Sequence, residues 1–124
     1  MELTGRDVRA LVRALQPAVD GKVQKVYGTD RFALVLDLYA RDLEYRYLYI
    51  ELPSLVFVSN EKVEMPPKPT GLAQRIRGQL QGLKIAAIEQ HGMDRILMIR
   101  LAGRKEFTLV VELFSKGNVI VLDE

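Results

Sequence analysis

Cysteine and tryptophan are absent from the 124-residue sequence, and histidine occurs once, as His91. Without cysteine there is no disulfide framework and no thiolate metal site, which fits a reducing compartment. With one histidine and no thiol, a zinc centre would have to be built almost wholly of carboxylates, an unusual donor set, so no metal or other cofactor is expected. Long apolar runs are missing too: stretches such as Leu109-Val110-Val111 fall far short of the roughly 20 residues that span a bilayer. The opening Met1-Glu2-Leu3-Thr4-Gly5-Arg6-Asp7 lacks the apolar core of a signal peptide. Together these absences read as a soluble, cytoplasmic domain with no membrane partner. The net charge of +2 is too small to argue for a polyanionic partner, so the distribution of the cations has to decide. Apolar residues are plentiful at 48%, enough for one modest core in a chain of a single domain's length.

A helix is expected over residues 4–16, because Val8, Leu11, Val12 and Leu15 recur at the spacing of one buried stripe. Thr4 and Asp7 have the spacing of a helix start, where side chains satisfy free N–H groups, and Pro17 and Gly21 end it. Four strands are expected next, around Lys22–Gly28, Phe32–Leu38, Glu44–Glu51 and Leu55–Val58, separated by turn signals at Gly28-Thr29-Asp30, Arg41-Asp42 and Pro53-Ser54. In the third, Tyr45, Tyr47 and Tyr49 alternate with Arg46, Leu48 and Ile50, which assigns the two sets to opposite faces. Met65-Pro66-Pro67-Lys68-Pro69 cannot continue a ladder and reads as a stiff connector. Beyond it Thr70 is expected to cap a second helix over Gly71–Leu80, followed by strands around Lys84–Gln90, Arg95–Leu101, Glu106–Leu113 and Val119–Leu122.

The two halves, 1–64 and 65–124, resemble one another. Leu15-Gln16 matches Leu80-Gln81, Thr29-Asp30-Arg31-Phe32 matches Met93-Asp94-Arg95-Ile96, and Leu48-Tyr49-Ile50-Glu51-Leu52 matches Leu109-Val110-Val111-Glu112-Leu113, at offsets of 61 to 65 residues. The expected class is therefore α+β: two four-stranded antiparallel sheets stacked as a sandwich or flattened barrel with two flanking helices. Each sheet would bury its apolar face against the other.

Catalytic signals are weak. Ser54, Ser59 and Ser115 sit in no nucleophile elbow, His91 lies beside Gly92 in a turn, and Gly117-Asn118 reads as a hairpin turn with no phosphate loop nearby. No enzymatic activity and no small-molecule substrate are expected. The cations say more: the first helix carries Arg6, Arg9 and Arg13, the second Arg75 and Arg77, against one acid, Asp7. Such faces suit phosphate contacts, though they also suit plain solvation. The tyrosine stripe is either a base-stacking platform or a packed sheet face. Asp94-Arg95 at a strand entrance either closes a turn or presents a carboxylate and a forked guanidinium to bases and phosphates.

Several segments resemble the amino-terminal domain of the NFACT family. Pro69-Thr70, Ile76-Arg77, Leu80, Gly82, Ile85 and Ile88 follow its P-T…L-R-K…L…G…I…I pattern, Gln90 to Ile96 follow Q-x-G-F-D-R-I, and Glu112 to Leu122 follow E-L…G-N-I-I-L. Thr4, Asp7, Val8 and Leu15 fit its helical opening, so the likeness runs from about residue 3 to the end. The resemblance implies a fold similar to the amino-terminal domain of formamidopyrimidine-type DNA glycosylases. It implies binding to obstructed large ribosomal subunits and recruitment of tRNA that extends stalled nascent chains without mRNA. It assigns tRNA contacts to Asp7, Asp94 and Arg95, to which the exposed cations Arg9, Arg13 and Arg77 are added as phosphate contacts.

Departures are visible. Leu55-Val56-Phe57-Val58-Ser59 replaces the family's R-I-H-L-T strand, Ile76-Arg77-Gly78 replaces L-R-K, and the sequence lacks the helix-hairpin-helix, coiled-coil and carboxy-terminal RNA-binding modules of full-length members. It reads as one domain of a longer protein. Alternatives are a fibronectin-binding surface adhesin, after the family's older label, a glycosylase-like nucleic-acid-binding domain lacking the amino-terminal proline nucleophile, and a scaffold that positions other modules.

Overall fold

The computed structural model describes residues 4–29, 33–52, 55–61, 71–113 and 117–123. The proline-rich connector, the Thr70 cap, the Asp30-Arg31-Phe32 segment, the Pro53-Ser54 turn and Ser115 lie outside the described residues. The chain runs α1 (Gly5–Leu15), β1 (Lys22–Thr29), β2 (Ala33–Tyr39), β3 (Tyr47–Glu51), β4 (Leu55–Ser59), α2 (Gly71–Leu80), β5 (Lys84–Gln90), β6 (Ile96–Ala102), β7 (Glu106–Glu112) and β8 (Asn118–Asp123). A single 3-10 turn over Gln16–Ala18, with Pro17 at its start, carries α1 into β1. The apolar stripe of α1 is buried at Val8 and Leu15 and half-buried at Leu11 and Val12, as its periodicity requires. On α2, Ala73, Ile76 and Leu80 are buried in the same way.

The strands form one antiparallel sheet in the order β4-β3-β2-β1-β5-β6-β7-β8. This corrects the expectation of two separate four-stranded sheets: the meanders meet where β1 and β5 begin, with Lys22 opposite Lys84. Four backbone hydrogen bonds make the junction and come in matched pairs. Val23 N–H donates to Leu83 O at 3.0 Å and Ile85 N–H to Gly21 O at 2.8 Å, while Asp20 N–H donates to Ile85 O at 2.8 Å and Gly82 N–H to Val23 O at 2.7 Å. Two separate sheets would leave these groups on open edges, where unpaired N–H and C=O groups are a liability.

The internal repeat extends to detail. Each first strand carries an irregularity one residue after its core residue, between Val23 and Lys25 in β1 and between Ile85 and Ala87 in β5. Asp20 and Gly82 occupy equivalent places before those strands, and both have positive φ, 74° and 89°. The helices are exchanged between halves: α1 packs on β5 and β6, and α2 packs on β1. A glutamine at the end of each helix ties it to the opposite half. Gln16 Nε2 donates to Ile88 O at 2.8 Å, and the Gln81 side-chain oxygen accepts from Val26 N–H at 3.3 Å. One apolar cluster runs through both halves, including Val8, Val26, Leu36, Leu48, Ile76, Ile85, Ile99 and Leu109.

Candidate nucleic-acid interface

Thr4 and Asp7 form a capping box at the start of α1. The Thr4 N–H and hydroxyl both donate to Asp7 Oδ2, at 2.8 and 3.0 Å, and the Asp7 N–H donates back to Thr4 Oγ1 at 3.2 Å. The Thr4 backbone N–H first, then its hydroxyl, hold the Asp7 carboxyl below the ordinary carboxylate range. Asp7 therefore has a role in the helix itself, at an exposed position.

The other predicted pair, Asp94 and Arg95, closes the turn between β5 and β6, and the strand after it begins at Ile96, one residue later than expected. The Asp94 N–H donates to His91 O at 3.0 Å, and Gly92, with φ of 57°, makes the turn tight. Asp94 Oδ2 lies 3.0 Å from His91 Nδ1, with both side chains more than half exposed. Arg95 is half-buried, and its carbonyl accepts from Leu113 N–H at 2.8 Å, which pins the base of the turn to the end of β7.

This turn is pressed against the start of α1. Gly5 sits so close to the Met93 carbonyl that a side chain there would overlap it. Gln90 Nε2 bridges the two elements, donating to Gly5 O and to Asp94 O, each at 2.8 Å. The fold thus sets the first turn of α1, which carries Asp7, against the turn that carries Asp94 and Arg95, although the two are more than 80 residues apart in sequence. Gln90 is the residue that reasoning from chemistry does not single out. A long polar side chain at the last position of a strand was the available signal for Gln90.

The remaining predicted cations are divided between the two helices. Arg6, Arg9 and Arg13 are exposed on α1, which rides on β5 and β6. Arg75 is exposed and Arg77 half-buried on α2, which rides on β1.

Of the tyrosine stripe, Tyr47 and Tyr49 form a packed face, whereas Tyr45 precedes β3 and is half-buried. Tyr47 and Tyr49 are only 6% and 5% exposed, Tyr49 stacks on Phe57 with ring centroids 4.7 Å apart, and its hydroxyl donates to Glu61 O at 2.9 Å. Strict alternation places Arg46 on the opposite face with Leu48 and Ile50, and the structure corrects this. β3 starts only at Tyr47, so the Arg46 side chain turns onto the tyrosine face, 5.2 Å from the Tyr47 ring centroid. There it grips the buried carboxylate of Asp37 through two bonds of 2.8 and 3.1 Å. That contact raises the guanidinium above its already high ordinary pKa. A lone Asp inside the apolar run Ala33-Leu34-Val35-Leu36-Asp37-Leu38 was the sequence signal for this pair.

The described residues thus form a repeated helix-and-meander domain whose Asp94-Arg95 turn is locked to a capped helix. A family model described as NFACT N-terminal and middle domains matches residues 4–124, and the chain belongs to that family. It is 30% identical over 128 residues to the archaeal Rqc2 homolog aRqcH of Methanocaldococcus jannaschii, covering 98% of this chain and 19% of that protein. It is 26% identical over 121 residues to the human ribosome quality control complex subunit NEMF, covering 94% of this chain and 11% of that one. Its fold matches the crystal structure of the amino-terminal domain of the fibronectin-binding protein PavA from Streptococcus pneumoniae. That match has a TM-score of 0.86 at 23% identity and covers 98% of this chain and 49% of the other. The family thus includes ribosome quality control factors, and this chain spans less than a fifth of the length of the two curated relatives. Among the described residues, no helix is long and apolar enough to cross a membrane.

Proposed function

We propose that this domain is a non-catalytic RNA-binding module of a cytoplasmic ribosome quality control factor, engaging tRNA and the large ribosomal subunit. In the full-length protein it would help recruit tRNA to stalled nascent chains. The observation that carries the reading is the anchored turn. Asp94 stands exposed beside the half-buried Arg95 on a hairpin whose backbone is held by Gln90, Gly5 and Leu113, so the turn that carries the pair is fixed in place. A carboxylate accepts from base amino groups, and a guanidinium fork addresses phosphate or a guanine edge. Arg6, Arg9 and Arg13 add phosphate contacts along the helix that starts at the same place. No cofactor or small-molecule substrate is needed for such binding, and a glycosylase-like ancestry of the fold would add no chemistry to it. The adhesin alternative rests on the family's older label, and the fibronectin-binding neighbour at 23% identity speaks for fold alone.

The test is tRNA binding by Asp94→Ala/Arg95→Ala, measured by fluorescence anisotropy at two salt concentrations. Loss of one well-oriented base-reading pair, worth about 1–3 kcal/mol, weakens binding about 5- to 150-fold. Unchanged affinity in a folded double variant would refute the assignment.

A further inference from the structure

The junction between the two halves forms an open groove of about 710 Å³ that no role described above uses. Its floor is a row across three strands on one face of the sheet. Tyr39 of β2 pairs with Lys22 of β1, which pairs with Lys84 of β5. Two lysines directly opposite one another in a ladder repel, an arrangement a purely structural junction would not favour. One carboxylate answers them: Asp20 Oδ1 lies 3.6 Å from Lys84 Nζ, with side chains 80% and 61% exposed, and such solvated pairs contribute little. Among the described residues Asp20 is the one non-glycine with positive φ, so the backbone there bears a left-handed conformation at the place where the other half has Gly82. Tyr39 is 60% exposed, with Lys22 Nζ 5.6 Å from its ring centroid. Arg41 and Asp42 complete the rim, giving three cations against two carboxylates.

We propose that this groove is a second RNA-contacting surface, with Lys22 and Lys84 on backbone phosphates and Tyr39 stacking a base. Paired cations beside an exposed flat ring are the arrangement by which single-stranded nucleic acid is held without sequence preference. An acidic protein segment would use the lysines and leave the ring without a purpose. The like-charge cross-strand pair then has a reason, because a phosphate between the ammonium groups relieves the repulsion that the free protein carries. The groove is separate from the Asp94 turn. The two lie at opposite ends of β5, Lys84–Gln90, about 20 Å apart at roughly 3.3 Å per residue. The proposal therefore stands or falls independently of the Asp94–Arg95 assignment.

The experiment compares binding of a 12-nucleotide single-stranded RNA to the 124-residue chain and to three variants across a salt series. The variants are K22Q/K84Q, Y39L, and the control R104Q/K105Q in the exposed β6–β7 hairpin. Loss of two phosphate contacts makes the slope of log affinity against log salt shallower by about 1.4 in K22Q/K84Q, and loss of one stacked base weakens Y39L about 5- to 150-fold. The melting temperature of K22Q/K84Q is expected to stay level or rise, which a merely structural role for the lysines would not give. A slope for K22Q/K84Q no different from the R104Q/K105Q control, or an unchanged affinity in Y39L, overturns the proposal. So does a 12-residue polyglutamate peptide that binds more tightly than the RNA and is lost in K22Q/K84Q, since the partner would then be an acidic protein. D94A/R95A, run alongside, separates the two sites: its failure to weaken binding bears on the turn and leaves the groove assignment intact.

Discussion

Replacing Gly5 by alanine should destabilise the protein even though alanine is the better helix former. A methyl group at Gly5 overlaps the Met93 carbonyl oxygen, which is backbone and cannot swing away. Relief requires α1 to retreat from the 91–95 turn, at an overpacking cost of about 1–3 kcal/mol. The same retreat stretches the 2.8 Å bond from Gln90 Nε2 to Gly5 O, worth about 1 kcal/mol net. Against this stands the helix-propensity gain of glycine to alanine, at most about 1 kcal/mol. The balance is a loss of about 1–3 kcal/mol, or a fall in Tm of roughly 3–12 °C for a chain of this size. Urea unfolding followed by circular dichroism measures it. Combining Gly5→Ala with Gln90→Ala should cost less than the two single losses together, because both act on one contact. If Gly5→Ala proves as stable as the parent, or more so, helix and turn do not touch as described, and the anchored turn loses its support.

Gly78 supplies the contrast: it lies in α2 with open space where its side chain would be, so Gly78→Ala should raise stability by about 0.5–1 kcal/mol in the same assay. Arg46→Ala leaves the Asp37 carboxylate, 2% exposed, without its bidentate partner. Because Arg46 itself is half exposed, the expected loss is about 1–3 kcal/mol by urea midpoint, and a change below about 0.5 kcal/mol would mean that water replaces the guanidinium. The Thr4 bonds to Asp7 give a pH signature. The folded carboxyl titrates below its unfolded value, so its stabilisation is fully present above the unfolded pKa near 4 and is lost as pH falls through the depressed folded value. Asp7→Asn should therefore melt below the parent at pH 7, by a gap that is narrower at pH 2. A constant gap between the two melting temperatures at both pH values would rule that linkage out.

Local periodicity settled much of this protein in advance. The three- and four-residue spacing of Val8, Leu11, Val12 and Leu15, the Thr4–Asp7 cap and the helix-then-meander order are all short-range consequences of side-chain pattern, and the structure keeps them. The Asp94-Arg95 pair was legible as a candidate because it sits at a strand entrance. What anchors it was not, since Gln90 and Gly5 meet only after the halves exchange helices. Arg46 changed faces for a related reason: strand alternation holds only where the strand exists, and β3 begins one residue after it. Nothing in the pattern of either half says whether two meanders stack as separate sheets or join edge to edge. Tertiary structure decided that through four backbone hydrogen bonds around Lys22 and Lys84, between groups that every residue carries and that no sequence pattern marks.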